Sequence, residues 1–214
     1  MGKKTYEGVI RNKERTKRKF LDAVGDIIRR EGHQHLGVNN IARVACANKA
    51  LIYSYFGNVN NLIDQYAREN DYWLLFKDSL EEQLHDKTLN NKDLIKKVLS
   101  MQFDFVNSNL DMQKFIIWQV TKRDAFITDI LNDRETIGNQ FFNVTDQILD
   151  KKTDFRAISA LLVAGIYHLV LYSKNTSATF CGIDLNTPEG SKRIKNALSN
   201  LLDLVYEDSS VSTI

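Results

Sequence analysis

A chain of 214 residues that is 43% hydrophobic and 26% charged has the composition of a soluble globular protein and excludes a disordered, collagenous or multiply membrane-spanning one. With one proline and ten glycines it lacks the frequent turn signals of a sandwich or barrel of short strands, which points to an all-α fold of long helices. The formal charge of +2 conceals a division, because residues 1–59 hold twelve basic and five acidic side chains and residues 60–214 hold 17 basic and 22 acidic ones, a +7 block before a −5 block. That asymmetry suggests a basic module that meets a polyanion, joined to an acidic body with a different task.

The opening stretch MGKKTYEGVIRNKERTKRK is charged but has no apolar core or cleavage site after it, so it does not read as a secretory signal, and residues 1–11 are expected to form a mobile arm. Over residues 12–30, Phe20, Val24, Ile27 and Ile28 recur at helical spacing and the first half is loaded with Lys13, Arg15, Lys17, Arg18 and Lys19. Gly32 ends that helix. Two short helical pieces follow, residues 40–45 and 49–56, with only three residues between them; helices this short hold together only when a third covers both. Gly57 and Asn58 break the pattern, and a long helix is expected over residues 60–85. Beyond it, residues 90–109, 111–122, 124–149, 154–174 and 188–206 each read as an amphipathic or buried helix, several opening on an Asn or Asp cap, with Pro188 at a first helical position. Residues 175–186 read as a surface loop, and the tail after Glu207 as frayed. The domains that follow are 12–59 and 60–214.

Two short helices joined by a tight turn under a third, with basic charge around them, describe a helix-turn-helix unit whose second short helix enters the major groove of double-stranded DNA. On residues 49–56, Ile52 and Phe56 share a face at i and i+4 and are expected in the core, leaving Lys49, Ala50, Tyr53 and Ser54 outward. Lys49 can donate to a guanine edge or a phosphate, Tyr53 and Tyr55 to phosphate oxygens, and Ala50 and Leu51 can meet a thymine methyl.

The stretch IARVACANKALIYSYFGNVNNLI, residues 41–63, resembles the N-terminal domain of the tetracycline-repressor-like (TetR) transcriptional regulators. Ile41-Ala42, Cys46-Ala47-Asn48, Ile52-Tyr53-Ser54-Tyr55-Phe56, Gly57-Asn58 and Leu62 carry the likeness, which spans about the first 65 residues. It implies DNA-facing roles for Lys49, Ala50, Leu51, Tyr53, Ser54 and Tyr55, and a place beside a phosphate for Asn39 and Asn40; with Asn48 of the turn and Lys17 of the basic helix these form the expected DNA-binding set. It also implies an all-helical body that dimerises through its last two long helices and encloses a small-molecule effector. Cys46 stands where the family most often has glycine, so its backbone either avoids positive φ or accepts a strain of roughly 1–2 kcal/mol. Val38 replaces the usual Thr or Ser before the supporting helix, and Val59 and Asn60 replace a basic pair.

The apolar run of residues 157–173 is a little short of the roughly 20 residues that span a bilayer and reads as a buried helix rather than a membrane anchor. Ile158, Leu162, Ile166 and Leu169 form one apolar stripe and Leu198, Leu201, Leu202 and Val205 a second, together the expected homodimer interface, with packing inside one subunit as the rival reading. Phe103, Trp118, Phe141, His168 and Tyr172 are candidates to line the effector pocket. Cys46 and Cys181 are too few for a disulfide framework and suit a reduced cytoplasm, and the His33/His35 pair lacks a third metal ligand, so no metal, cofactor or catalytic site is expected. The leading reading is a repressor of a palindromic operator released by a small apolar or aromatic effector. The rivals are a non-sequence-specific nucleic-acid-binding or structural helical protein and a small helical enzyme.

Overall fold

The computed structural model describes residues 3–85, 90–122, 124–146, 149, 153–176 and 178–210. Among these there are eleven α-helices: α1 Lys3–Arg30, α2 Val38–Val44, α3 Ala50–Phe56, α4 Val59–Arg68, α5 Tyr72–Leu75, α6 Lys77–His85, α7 Asn91–Ser108, α8 Leu110–Thr121, α9 Ala125–Thr145, α10 Phe155–Thr176 and α11 Pro188–Ser210. The fold is all-α, with one isolated β-bridge between Phe180 and Ile183 in the turn before α11. The chain forms two compact units.

The first unit runs to Asp71 and takes in Leu110–Leu131 as well. Phe20, Val24, Ile27 and Ile28 of α1, Ile41 of α2, Ile52 and Phe56 of α3 and Leu62 of α4 bury together, as their helical spacing requires. Phe20 meets Phe56 edge to face at 6.4 Å. α1 begins at Lys3, so the segment expected as a mobile arm is the first part of a 28-residue helix. α4 packs on α1 and α3 and belongs to the first unit.

The single helix expected over residues 60–85 is three. α4 opens on Asn58, whose side chain accepts from the Asn61 N–H at 2.8 Å, and closes before Asn70, whose side-chain amide donates to the Tyr66 carbonyl at 2.8 Å. Asn70 and Asp71 place short polar side chains where they compete with the helical backbone for hydrogen bonds, and the helix stops there. A bend at Phe76 then separates α5 from α6.

In the second unit, Tyr72–Asn109 and the chain from Asn132 onward, α7 is the central helix, packed against α5, α10 and α11. Asp203 of α11 receives both Lys92 and Lys96 of α7, at 2.9 and 2.6 Å, and Lys195 reaches Asp104 at 3.0 Å, so three lysines fasten α11 along α7. These ammonium groups lower the Asp203 carboxyl from its ordinary value, the Lys96 hydrogen bond first. Asn90, Asp154 and Thr187 cap α7, α10 and α11 with side-chain oxygens. α11 continues to Ser210, past the point at which fraying was expected.

Candidate nucleic-acid interface

α3 stands with Ile52 and Phe56 buried and with Lys49, Ala50, Tyr53 and Ser54 exposed, Tyr53 at 52%, as its i, i+4 register requires. Leu51 and Tyr55 lie half-buried at its flanks. The turn before it is closed by the N–H of Cys46 on the Arg43 carbonyl and that of Ala47 on the Ala42 carbonyl, with Cys46 at φ 48. The backbone therefore accepts the left-handed conformation, a strain of roughly 1–2 kcal/mol for a side chain with a Cβ. The Ala50 N–H donates to the Asn48 side chain at 2.9 Å, which makes Asn48 the cap that starts the helix. Gly57, at φ 81, ends it.

The expected DNA-facing polar side chains fall into two groups. Lys49 donates to the Asn39 side chain at 3.1 Å, so the basic residue immediately before α3 is held over the start of α2. Asn40 turns the other way: its amide donates to Glu31 and to the His35 carbonyl at 2.9 and 3.1 Å, and its oxygen accepts from Arg43 at 2.6 Å, which fixes the α1–α2 connection. Gly37, with no side chain to offer, occupies the N-cap of α2, and Val38 is its first residue. Lys17 pairs with Glu14 at 3.3 Å, Arg18 with Glu69 at 2.9 Å, and the Lys13 ammonium lies 5.4 Å from the Tyr55 ring centre, joining the exposed part of α1 to the flank of α3.

Behind this surface α8 is fastened to α1 by groups that the sequence reading did not single out. Arg29 grips both carboxylate oxygens of Asp111 at 2.9 and 2.8 Å, donates to Asp26 at 2.8 Å and meets the Tyr66 hydroxyl at 3.3 Å. Burial works against the Arg29 charge, yet the Asp26 hydrogen bond and the Asp111 charge outweigh it; burial, then Asp111, holds the Tyr66 phenol well above its ordinary range. The Tyr66 hydroxyl lies so close over Gly25 that a Cβ there would overlap it. A glycine inside an otherwise helix-forming segment was the available signal, since it costs about 0.5–1 kcal/mol without a packing reason. His33 stacks on Trp118 at 4.8 Å and 12°, and the Trp118 indole donates to Asp124 at 2.9 Å. Burial, then the Lys122 charge, lowers the His33 imidazole from its usual range against the pull of Asp124.

No protein-family model matches the sequence, and no curated protein does. Solved structures do match. NalD of Pseudomonas aeruginosa, the secondary repressor of the MexAB-OprM multidrug efflux pump, superposes with a TM-score of 0.65 at 16% identity over 87% of this chain and 96% of its own. The Bacillus subtilis transcriptional regulator FadR, solved with stearoyl-CoA, gives 0.63 at 18% identity over 86% and 96%. A TetR-like transcriptional regulator from Rhodococcus sp. RHA1 gives 0.61 at 17% over 87% and 93%. The chain has the TetR-like regulator fold. Within that fold the helix-turn-helix of α2 and α3 stands where the motif spacing placed it.

The candidate effector residues do not form one group. Trp118 belongs to the first unit and is buried among His33, Phe115 and Phe126. Phe103 and Phe141 are core residues of the second unit, and His168, exposed, pairs with Tyr172 and Phe180 beside the turn before α11. Phe141 also lines a narrow crevice with Leu84, Leu94, Ile95 and Val144 that has no room for a water molecule, and so falls far below the roughly 300–1,000 Å³ of ligand pockets.

The expected interface stripes divide as well. Ile166, Leu198 and Leu202 are buried inside the second unit itself, and Ile158, Leu162, Leu169 and Val205 are half-buried. Leu201 of the second expected stripe is exposed at 47%, and it shares the bare apolar face with Leu161 at 75% and Leu204 at 61%, which the stripes did not include, and with exposed Ala157, Ala160 and Ala164 on α10. The helix read as covered on every side is buried over only 17% of its most apolar window.

Proposed function

We propose that the protein is a homodimeric transcriptional repressor that binds a palindromic operator through α3 and is released by a small apolar or aromatic effector bound in the acidic body. The observation that carries this reading is the outward face of α3, where Lys49, Ala50, Tyr53 and Ser54 are exposed beside a half-buried Tyr55 on a helix clamped by Ile52 and Phe56. Such a face offers a charged donor, hydroxyls and small apolar contact in the dimensions of a major groove. Lys49, Tyr53 and Ser54 are the residues we assign to DNA, with Ala50, Leu51, Tyr55 and Lys17 around them; Asn40 and Asn48 act by fixing the helices. No catalytic step is assigned.

Dimerisation is supported by the uncovered face of α10 and α11. α10 is long and apolar enough to cross a membrane by length and composition, but Ile166 and Val170 are buried in its own unit and Tyr167 accepts from Gln102 of α7 at 3.1 Å. A second copy covers alanines and leucines without withdrawing the helix from α7, and a two-fold pair supplies the two recognition helices that successive major grooves, about 34–36 Å apart, demand. For the effector, the supporting features are the ring-rich interior of the second unit and Gln102, whose side-chain oxygen is buried without a partner. An orphaned buried acceptor costs about 1–3 kcal/mol, which a donor on a bound molecule would relieve. That the structural neighbour FadR of Bacillus subtilis was solved in complex with stearoyl-CoA supports an apolar effector.

The test is selection of bound duplexes from a random pool, with and without an extract of the cells that make the protein. A palindrome recovered by the protein alone, lost on adding extract and lost with Lys49→Ala or Tyr53→Ala, is the expected result. Recovery of no common sequence defeats the reading in favour of non-specific binding.

A further inference from the structure

We infer that Asn39 and Lys49 act as one donor pair that selects a guanine in each half-site, the Lys49 ammonium donating to O6 and the Asn39 amide to N7. The inference rests on the DNA-binding reading above and deepens it by naming a base. The two residues belong to the two helices of the motif. Asn39 is the second residue of α2, and Lys49 immediately precedes α3, its carbonyl accepting from the Ile52 N–H at 3.1 Å. Both side chains are exposed, and the Lys49 ammonium donates to the Asn39 side-chain oxygen at 3.1 Å. Neither side chain has another polar partner among the described residues.

That bond decides what the pair can offer. Alone, an asparagine presents a donor and an acceptor, the pattern that matches N7 and the amino group of adenine, and a lysine is a mobile point charge. Paired, Asn39 turns its oxygen to the ammonium and keeps its NH2 group, while Lys49 keeps two of its three protons. The groups left over are all donors. Among the base edges of the major groove, guanine presents two acceptors and no donor. Adenine and cytosine carry an amino group that would meet the ammonium donor to donor, and thymine has a single acceptor beside a methyl. A phosphate accepts as well, but the placement favours a base. In a helix-turn-helix the first residues of the second helix meet base edges, and Lys49 stands there, next to an alanine whose methyl leaves the approach open. The tether also removes beforehand part of the side-chain freedom that Lys49 would lose on binding. Asn39 therefore takes a base-reading place in this chain, where the family resemblance implies a phosphate contact.

The experiment titrates the full-length protein and its Asn39→Ala variant with three duplexes. The first is the selected operator, the second has the half-site guanine replaced by adenine in both halves, and the third carries 7-deazaguanine there, which lacks the N7 acceptor. The wild type is expected to bind the adenine duplex about tenfold or more weakly than the operator, and the 7-deazaguanine duplex about threefold or more weakly. Asn39→Ala changes an exposed position, so helicity should be unchanged. The variant should discriminate against adenine about fivefold less than the wild type and bind the operator and its 7-deazaguanine form equally. A selected operator without a symmetric guanine, a wild type indifferent to the loss of N7, or a variant that keeps the full preference overturns the inference while leaving the repressor reading intact. So does a variant weakened to the same degree on all three duplexes, which would put the pair on a phosphate. The wild-type comparison on 7-deazaguanine decides the matter by itself should Asn39→Ala not fold. A wild type that prefers no duplex removes both readings together.

Discussion

The two units use their aromatic residues differently. In the first, several rings have a polar or charged partner: Tyr66 with Arg29, His33 against Trp118, Trp118 with Asp124, Tyr55 beneath Lys13. In the second, rings meet rings, with Tyr72, Trp73, Phe76, Phe105 and Phe141 in successive contacts of 5.1–6.4 Å, while α10 and α11 leave leucines and alanines exposed among the described residues. Directional bonds hold a surface in one geometry, as a face that must match a groove requires. Non-directional apolar contact tolerates rearrangement and association. The first unit is built as a finished surface and the second as a body that another molecule completes.

The strongest way to break that contrast is at the junction of α1 and α3. Phe20 is fully buried against Phe56, and Phe20→Ala is expected to cost about 3–5 kcal/mol, as large-to-small core changes in aromatic sites do. Chemical denaturation with operator binding as a second probe reads it; a loss below about 1 kcal/mol would mean that the three-helix core does not depend on this contact. Next comes the second unit. Leu161→Arg with Leu204→Arg changes exposed positions, so the isolated subunit should keep its helicity while sedimentation shows half the mass and operator affinity falls about a hundredfold, near 2.7 kcal/mol. A variant that stays dimeric would place the interface elsewhere.

A smaller effect is expected where α8 is fastened to α1. Arg29 is about one-third exposed, so its pair with Asp111 is partly screened, and Arg29→Met should cost about 1 kcal/mol in stability. Asp111→Asn should cost a similar amount, and the double variant less than the sum, because the two act on one interaction. Strict additivity would show that Arg29 and Asp111 contribute independently of each other.

What the sequence revealed follows the same line between the units. The helix-turn-helix was legible because local signals fix it: the i, i+4 pair Ile52 and Phe56, the break at Gly57-Asn58, and a charge block that stops where the motif does. Several later helices were legible to within a few residues from Asn90, Asp154 and Pro188 at their starts. The break at Asn70-Asp71 was missed because apolar spacing continues through it from Tyr66 to Tyr72 and Trp73, and periodicity does not register a polar pair that ends a helix. The apolar stripes of α10 and α11 were visible, but periodicity alone cannot distinguish the face spent on α7 from the face left bare, which is why Ile166 and Leu202 changed roles with Leu161 and Leu204. The His33–Trp118 stack joins positions far apart in the chain and left no mark in the local pattern.

That stack supplies the last and smallest prediction. The ordinary imidazole value is 6.5, and in the folded protein burial, then Lys122, lowers it against the opposing Asp124 carboxylate. As pH falls through 6.5 the unfolded chain takes up a proton at His33 before the folded one does, so this group's contribution to stability is complete above that value and declines below it until the folded imidazole also titrates. Wild type and His33→Phe, which keeps a ring against Trp118 without a titrating nitrogen, should therefore diverge in denaturation midpoint between about pH 7.5 and about pH 5.5, the wild type losing more. The divergence should shrink with Lys122→Gln, which removes a cation that disfavours the protonated ring, and grow with Asp124→Asn, which removes its opposing anion. Parallel pH profiles for wild type and His33→Phe would mean that His33 titrates as it does in the unfolded chain and that the stack is open to water.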